Sequence, residues 1–207
     1  MEKKKPQIIF SETGPYEVRN VENLANSKGE QLSVKPVMNL CRCGNSGNKP
    51  YCDCSHIESG FKNDTNPDDD TNRWKEYTGK DILVYFNLSV CSHSAICLRK
   101  LPEVFNLKKR PWVNPDGADY RRVMQVIEEC PSGALSYSVN GKMYEPPARA
   151  AKITVYRGGE YNIEGGIELS GDNDPTPADS ERYSLCSCGN TKHTPFCDGT
   201  HWHIKKK

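Results

Sequence analysis

The chain has 207 residues, with 28 Lys and Arg against 27 Asp and Glu, a formal net charge of +1 and a mean hydropathy of −0.76. That balance excludes the basic surface that nucleic acid demands. With only 35% hydrophobic residues, the chain is short of material for one large core, so several small units held by something besides apolar burial are expected, metal being the obvious candidate.

In chain order, MEKKKPQIIF has basic residues but no apolar stretch behind them, and no run approaches the roughly 18 apolar residues of a membrane span. A cytoplasmic protein with no membrane partner is the expectation. IIFSETGPYEV, from Ile8 to Val18, places β-branched and aromatic residues around a Gly turn and reads as two strands. A cysteine loop follows, from Cys41 to His56. NDTNPDDDTN, residues 63 to 72, has the Pro, Asn and Asp content of a solvated linker. Beyond it come strand DILVYF, a helix near ICLRKL, the turn PWVNPDGAD, a helix YRRVMQVIEE with Val123, Val126 and Ile127 on one face, and strand ALSYSV, a βααβ pattern. EPPARA, 145 to 150, is a second boundary. ITVYRGGEYNI and a second cysteine loop, Cys186 to His201, close the chain.

The two ends are one unit written twice. From Ile8 and Ile153 onward they align at a constant offset of 145 without a gap, through Gly14 and Gly159, Tyr16 and Tyr161, Leu24 and Leu169, Leu40 and Leu185, to His56 and His201. The expected organisation is α+β: a first repeat at 6–62, a linker at 63–73, an inserted domain at 74–147 and a second repeat at 148–204.

Ten cysteines are the strongest compositional signal, and spacing decides their use. CxC at Cys41 and Cys43, and again at Cys186 and Cys188, suits chelation of one ion better than pairing with distant thiols. Each repeat offers CxC, eight residues, Cys, three residues, His. Three thiolates and an imidazole can bind zinc or an iron-sulfur cluster. If a helical turn begins at Asp53 or Asp198, Cys52 and His56, or Cys197 and His201, project from one face toward one metal. The aspartate then meets free backbone amides, and Gly44 and Gly189 let the backbone approach closely.

CRCGNSGNKPYCDCSH and CSCGNTKHTPFCDGTH resemble the motif of the CDGSH iron-sulfur domain family, with Ser46 and Thr191, Pro50 and Pro195 where that pattern asks for them. The resemblance implies two 2Fe-2S clusters, one on Cys41, Cys43, Cys52 and His56, the other on Cys186, Cys188, Cys197 and His201. It also implies that the copies pair, here within one molecule about a pseudo-twofold axis, which makes a monomer the natural state. The first copy departs from the pattern by carrying Cys54 where the second has Gly199. If that position lies in the first turn of a helix, no positive φ is demanded and Cys costs only about a few tenths of a kcal/mol. CDCSH is then a competent copy, and Cys54 a tolerated small residue rather than a spare thiol.

VCSHSAICLRKLPEVF followed by CPSGAL resembles a single-cluster ferredoxin-like domain of the divergent 4Fe-4S mono-cluster group. Cys91 and Cys97 match the outer thiols of CxxCxxC and Cys130 with Pro131 the remote one, while Ser94 occupies the middle position. Either three cysteines hold a 3Fe-4S cluster, or a fourth iron is kept by Ser94, His93 or solvent, His93 being the better protein ligand.

No nucleophile set, phosphate loop or substrate motif is present. The expectation is an electron carrier or a cluster storage and transfer protein rather than an enzyme, with a redox partner or an apo-protein acceptor. The His ligands should raise the cluster potential and make the terminal clusters labile below about pH 6.5. The alternative is a zinc-stabilised structural or interaction module.

Overall fold

A computed structural model describes residues 4–62, 73–172 and 175–204; residues 63–72 of the expected linker lie outside them. The first repeat forms β1 (Gln7–Phe10), β2 (Tyr16–Arg19), β3 (Leu24–Asn26) and β4 (Val37–Leu40), followed by a single helical turn, α1 (Ser55–Glu58). The insert contributes β5 (Trp74–Thr78), β6 (Leu83–Asn87), α2 (Ile96–Lys100), α3 (Tyr120–Glu128), β7 (Leu135–Val139) and β8 (Lys142–Met143). The second repeat gives β9 (Lys152–Val155), β10 (Tyr161–Glu164), β11 (Glu168–Gly171), β12 (Arg182–Leu185) and a 3-10 turn at Thr200–Trp202.

Each repeat therefore has four strands, not the two that the alternating stretch suggests. The missing pair are short, and β3 finds its partner in the other repeat. β3 lies parallel to β9, pairing Leu24 with Ile153, while β1 lies parallel to β11, pairing Ile8 with Leu169. These two pairings are the same contact read from opposite sides. The resulting sheets run β11-β1-β2-β4 and β12-β10-β9-β3, so each repeat donates one strand to the other's sheet. Alternation does the rest: Ile8 and Phe10, Tyr16 and Val18, Met38 and Leu40 are buried, as are Ile153, Tyr161, Ile163, Tyr183 and Leu185.

The insert forms a third, antiparallel sheet, β5-β6-β7-β8. β5 escapes the sequence pattern because WKEYT lies almost wholly in the open. α3 starts at Asp119, whose side chain accepts from the amide of Arg121, and lays Val123, Val126 and Ile127 on the sheet. Trp112 fills the other end, its ring centroid 4.8 Å from that of Phe86.

This unit docks on the second repeat. The carbonyl of Glu128, at the end of α3, accepts from the guanidinium groups of Arg149 and Arg182. Arg182 is buried and ion-paired with Asp179 at 2.7 Å, a cation where a helix C-terminus favours one. The matching residue of the first repeat is Val37, which is 51% exposed. No described helix is long and apolar enough to cross a membrane.

Candidate metal centres

The two cysteine loops are built alike. In the first, the amide of Cys41 donates to the carbonyl of Pro50 and that of Cys52 to Asn39; in the second, Cys186 donates to Pro195 and Cys197 to Ser184. The motif's hydroxyl residue ties the loop shut, since Ser46 Oγ donates to the carbonyl of Tyr51 and Thr191 Oγ1 to that of Phe196, both at 2.7 Å. The aspartate clamps both ends. Asp53 accepts from Ser55 and from the amide of Gly47, which hold its carboxyl down to about 2. Burial works against Asp198, but the amides of Lys192 and Thr200 still hold it low.

These loops bring the motif residues together. Cys41 and Cys43 stand 3.8 Å apart at sulfur, and Cys52 Sγ lies 3.4 Å from His56 Nδ1. In the second repeat the corresponding distances are 3.5 Å for Cys186 and Cys188 and 3.3 Å for Cys197 and His201. Backbone amides point at sulfur: Asn45 toward Cys43, Cys54 toward Cys52 and Gly199 toward Cys197, each at 3.4 Å. Burial raises the thiols of Cys43, Cys52 and Cys197, whereas in the buried Cys186–Cys188 pair the hydrogen bond from Cys188 lowers Cys186 and raises Cys188 in turn. None of the ten cysteines is disulfide-bonded. Convergent thiols, a neighbouring imidazole and amides aimed at sulfur fit a metal or cluster that keeps the thiolates ionised.

Position 54 overturns one expectation. The helical turn starts at Ser55, not at the aspartate, and Cys54 before it is left-handed at φ +69°, as Gly199 is at φ +79°. That twist redirects the chain after residue 54 or 199 into the turn that carries His56 or His201 back toward the preceding cysteine, so a positive φ is demanded after all. Cys54 bears the strain of a Cβ there. It is exposed. A Cβ at Gly199 would instead meet His93 Nδ1 at 2.2 Å, so the first copy has room for the substitution and the second has none.

In the insert, Cys91, Cys97 and Cys130 line one cavity together with Ser94, roofed by Phe86 and Trp112. Burial pushes Cys91 up to about 12 and Cys97 up to about 11, with the other thiols of the trio adding to it. His93 does not line that cavity. Its Nδ1 is 2.8 Å from the carbonyl of Cys91 and its ring lies against Gly199, because the left-handed backbone at His93 turns the side chain toward the second repeat.

Several site-building residues carry no motif. Tyr16 donates to the carbonyls of Cys186 and Pro195, and Tyr161 to those of Cys41 and Pro50, so each repeat's tyrosine supports the other's loop. Their recurrence in register was the one available signal. Glu160 was not detectable that way, because the first copy has Pro15 in its place; its carboxylate, Cys197 and His201 form a buried cluster.

The family described as iron-binding zinc finger CDGSH type matches residues 13–57 and 158–202, and that described as divergent 4Fe-4S mono-cluster matches 77–140. The chain belongs to the CDGSH iron-binding family, with a divergent 4Fe-4S mono-cluster domain between its two copies. It is an iron-sulfur protein by both domain types. Two curated relatives, the uncharacterized protein YjdI of Escherichia coli K12 and that of Escherichia coli O157:H7, are each 52% identical over 61 residues, which is 30% of this chain and 80% of theirs. No solved structure matches the chain.

Proposed function

We propose that this CDGSH protein is a one-electron carrier with three centres. Cys41, Cys43, Cys52 and His56 would hold one 2Fe-2S cluster, Cys186, Cys188, Cys197 and His201 a second, and Cys91, Cys97 and Cys130 a 3Fe-4S or 4Fe-4S cluster. Ser94, which lines the third cavity, is better placed than His93 for a fourth position. When bound, such clusters supply reversible one-electron chemistry. The protein's residues supply the thiolates, aim amides at sulfur and exclude water with Tyr16, Tyr161, Phe86 and Trp112.

The observation that carries the electron-transfer reading is the seam between the middle and second sites. Trp202, next to His201, donates its indole N–H to the carbonyl of Ser92, next to Cys91, at 3.2 Å, and His93 rests on Gly199. Two ligand loops in direct contact suit rapid exchange between neighbouring centres. The reciprocal register of β1 with β11 and β3 with β9 supports an intramolecular pseudo-dimer, hence a monomer, around a ferredoxin-like insert.

Cluster transfer to an apo-protein is a second reading, favoured at the first site alone, where Cys52 and His56 are half-exposed and Cys54 is exposed. Anaerobic purification with iron and sulfide counts and low-temperature EPR tests the assignment. Brown protein with two 2Fe-2S signals on reduction and a third signal, seen on reduction for 4Fe-4S or in the oxidised state for 3Fe-4S, supports it; colourless, zinc-loaded protein sinks it and leaves the zinc-stabilised module. Mixing with an acceptor separates the two readings, since electron transfer leaves iron in place.

A further inference from the structure

The two CDGSH copies superpose in motif but not in what stands behind the histidine. In the second, Glu160 is 4% exposed and its Oε2 lies 3.4 Å from His201 Nε2, an ion-pair distance, while Nδ1 of the same ring faces Cys197. The ring is itself buried, at 6% exposure. Ser92 of the insert, 1% exposed, lies close enough to the Glu160 carboxylate to counter the rise that burial imposes on it, and its hydroxyl completes no hydrogen bond among the described residues. In the first copy the place of Glu160 is taken by Pro15, and His56 is half-exposed.

An imidazole that binds metal through Nδ1 carries its proton on Nε2, and an acceptor behind that proton fixes both tautomer and ring orientation. We propose that Glu160 is a positioning residue for His201: its carboxylate receives the Nε2–H, Ser92 holds the carboxylate in place, and the second copy thereby grips its metal more firmly than the first. The inference rests on the metal-centre reading above. It assigns the insert a role beyond its own site, since the residue after Cys91 completes the support of the neighbouring centre. It also makes the two copies, though they share a motif, unequal.

The test is release of metal from the full-length, reconstituted chain into excess chelator, followed by visible absorbance, with His56→Cys identifying the phase of the first copy. Glu160→Ala is expected to speed the second copy's phase about 10- to 100-fold, the range found when such outer partners are removed, and to leave the first copy's phase unchanged. Glu160→Gln keeps an acceptor oxygen and should recover most of the retention; Ser92→Ala should give a smaller acceleration of the same phase. The ¹⁵N hyperfine coupling of the His201 ligand nitrogen should shift in Glu160→Ala. Unchanged release with an unchanged coupling overturns the proposal, and so does equal acceleration at all three sites, which would mark general loosening. A zinc-loaded, colourless chain would defeat the electron-carrier reading alone, because zinc release in the same variants still decides the role of Glu160.

Discussion

The rings of Tyr16 and Tyr161 meet edge to face with their centroids 6.1 Å apart, and each reaches past the other to the opposite cysteine loop. Removing one hydroxyl takes a donor from a cysteine carbonyl of the other copy's loop, Cys186 or Cys41, while the proline carbonyl beside it keeps its backbone donor. Tyr16→Phe should therefore cost about 1–3 kcal/mol, read by denaturant melts. It should loosen the second loop, at Cys186 and Pro195, rather than the first. Tyr161→Phe should do the reverse, and hydrogen exchange at the amides of Cys41 and Cys186 distinguishes them.

Gly44 and Gly189 allow the two cysteine loops to touch. A Cβ on Gly44 would lie 2.7 Å from the carbonyl oxygen of Cys188, and one on Gly189 2.8 Å from that of Cys43, both at positive φ. Gly44→Ala should disturb metal content in both copies at once. Gly29→Ala, also at positive φ but with nothing within 4 Å, is the control and should cost only about 1–2 kcal/mol with metal content intact. Iron analysis of the two purified variants checks this.

Cys54→Gly should stabilise the chain by about 1–2 kcal/mol, because glycine takes the left-handed conformation without a Cβ penalty. Gly199→Cys should cost more than that gain, since its Cβ would drive into His93. Paired thermal melts decide between this asymmetry and a position that tolerates Cys equally in both copies.

The insert's thiols give the metal-free chain a pH dependence of definite sign. Unfolded cysteines titrate near about 8.5, whereas Cys91 and Cys97 are raised to about 12 and about 11 in the fold. Their contribution is complete below about pH 8.5 and is lost as pH climbs toward those higher values. Tm of the metal-free chain should fall between pH 8.5 and 11, and less steeply in Cys91→Ser. Metal loading removes the protons and should abolish the decline.

The sequence made the duplication and the ligand chemistry readable, because thiol spacing and a gapless offset are local properties. α3 was equally plain, its Val123, Val126 and Ile127 all buried. The strands β3 and β11 were not, since LAN and ELSG owe their extended form to partners in the other copy. Nor was the twist at Cys54: its φ is set by where the following turn must place His56, which no propensity encodes. Glu160 stayed hidden for the opposite reason, being one of the positions where the two copies differ.

Gln7 hydrogen-bonds Ser170, 163 residues later, and Tyr16 reaches Pro195, 179 residues on. A ribosome adding about 5–20 residues per second thus releases the N-terminal strands well before their partners exist, with an unpaired edge available for wrong associations. The insert, whose sheet is self-contained, can settle during synthesis. The outer pair can close only once β9 and β11 have emerged, so the two copies complete their sheets after the insert between them has already formed.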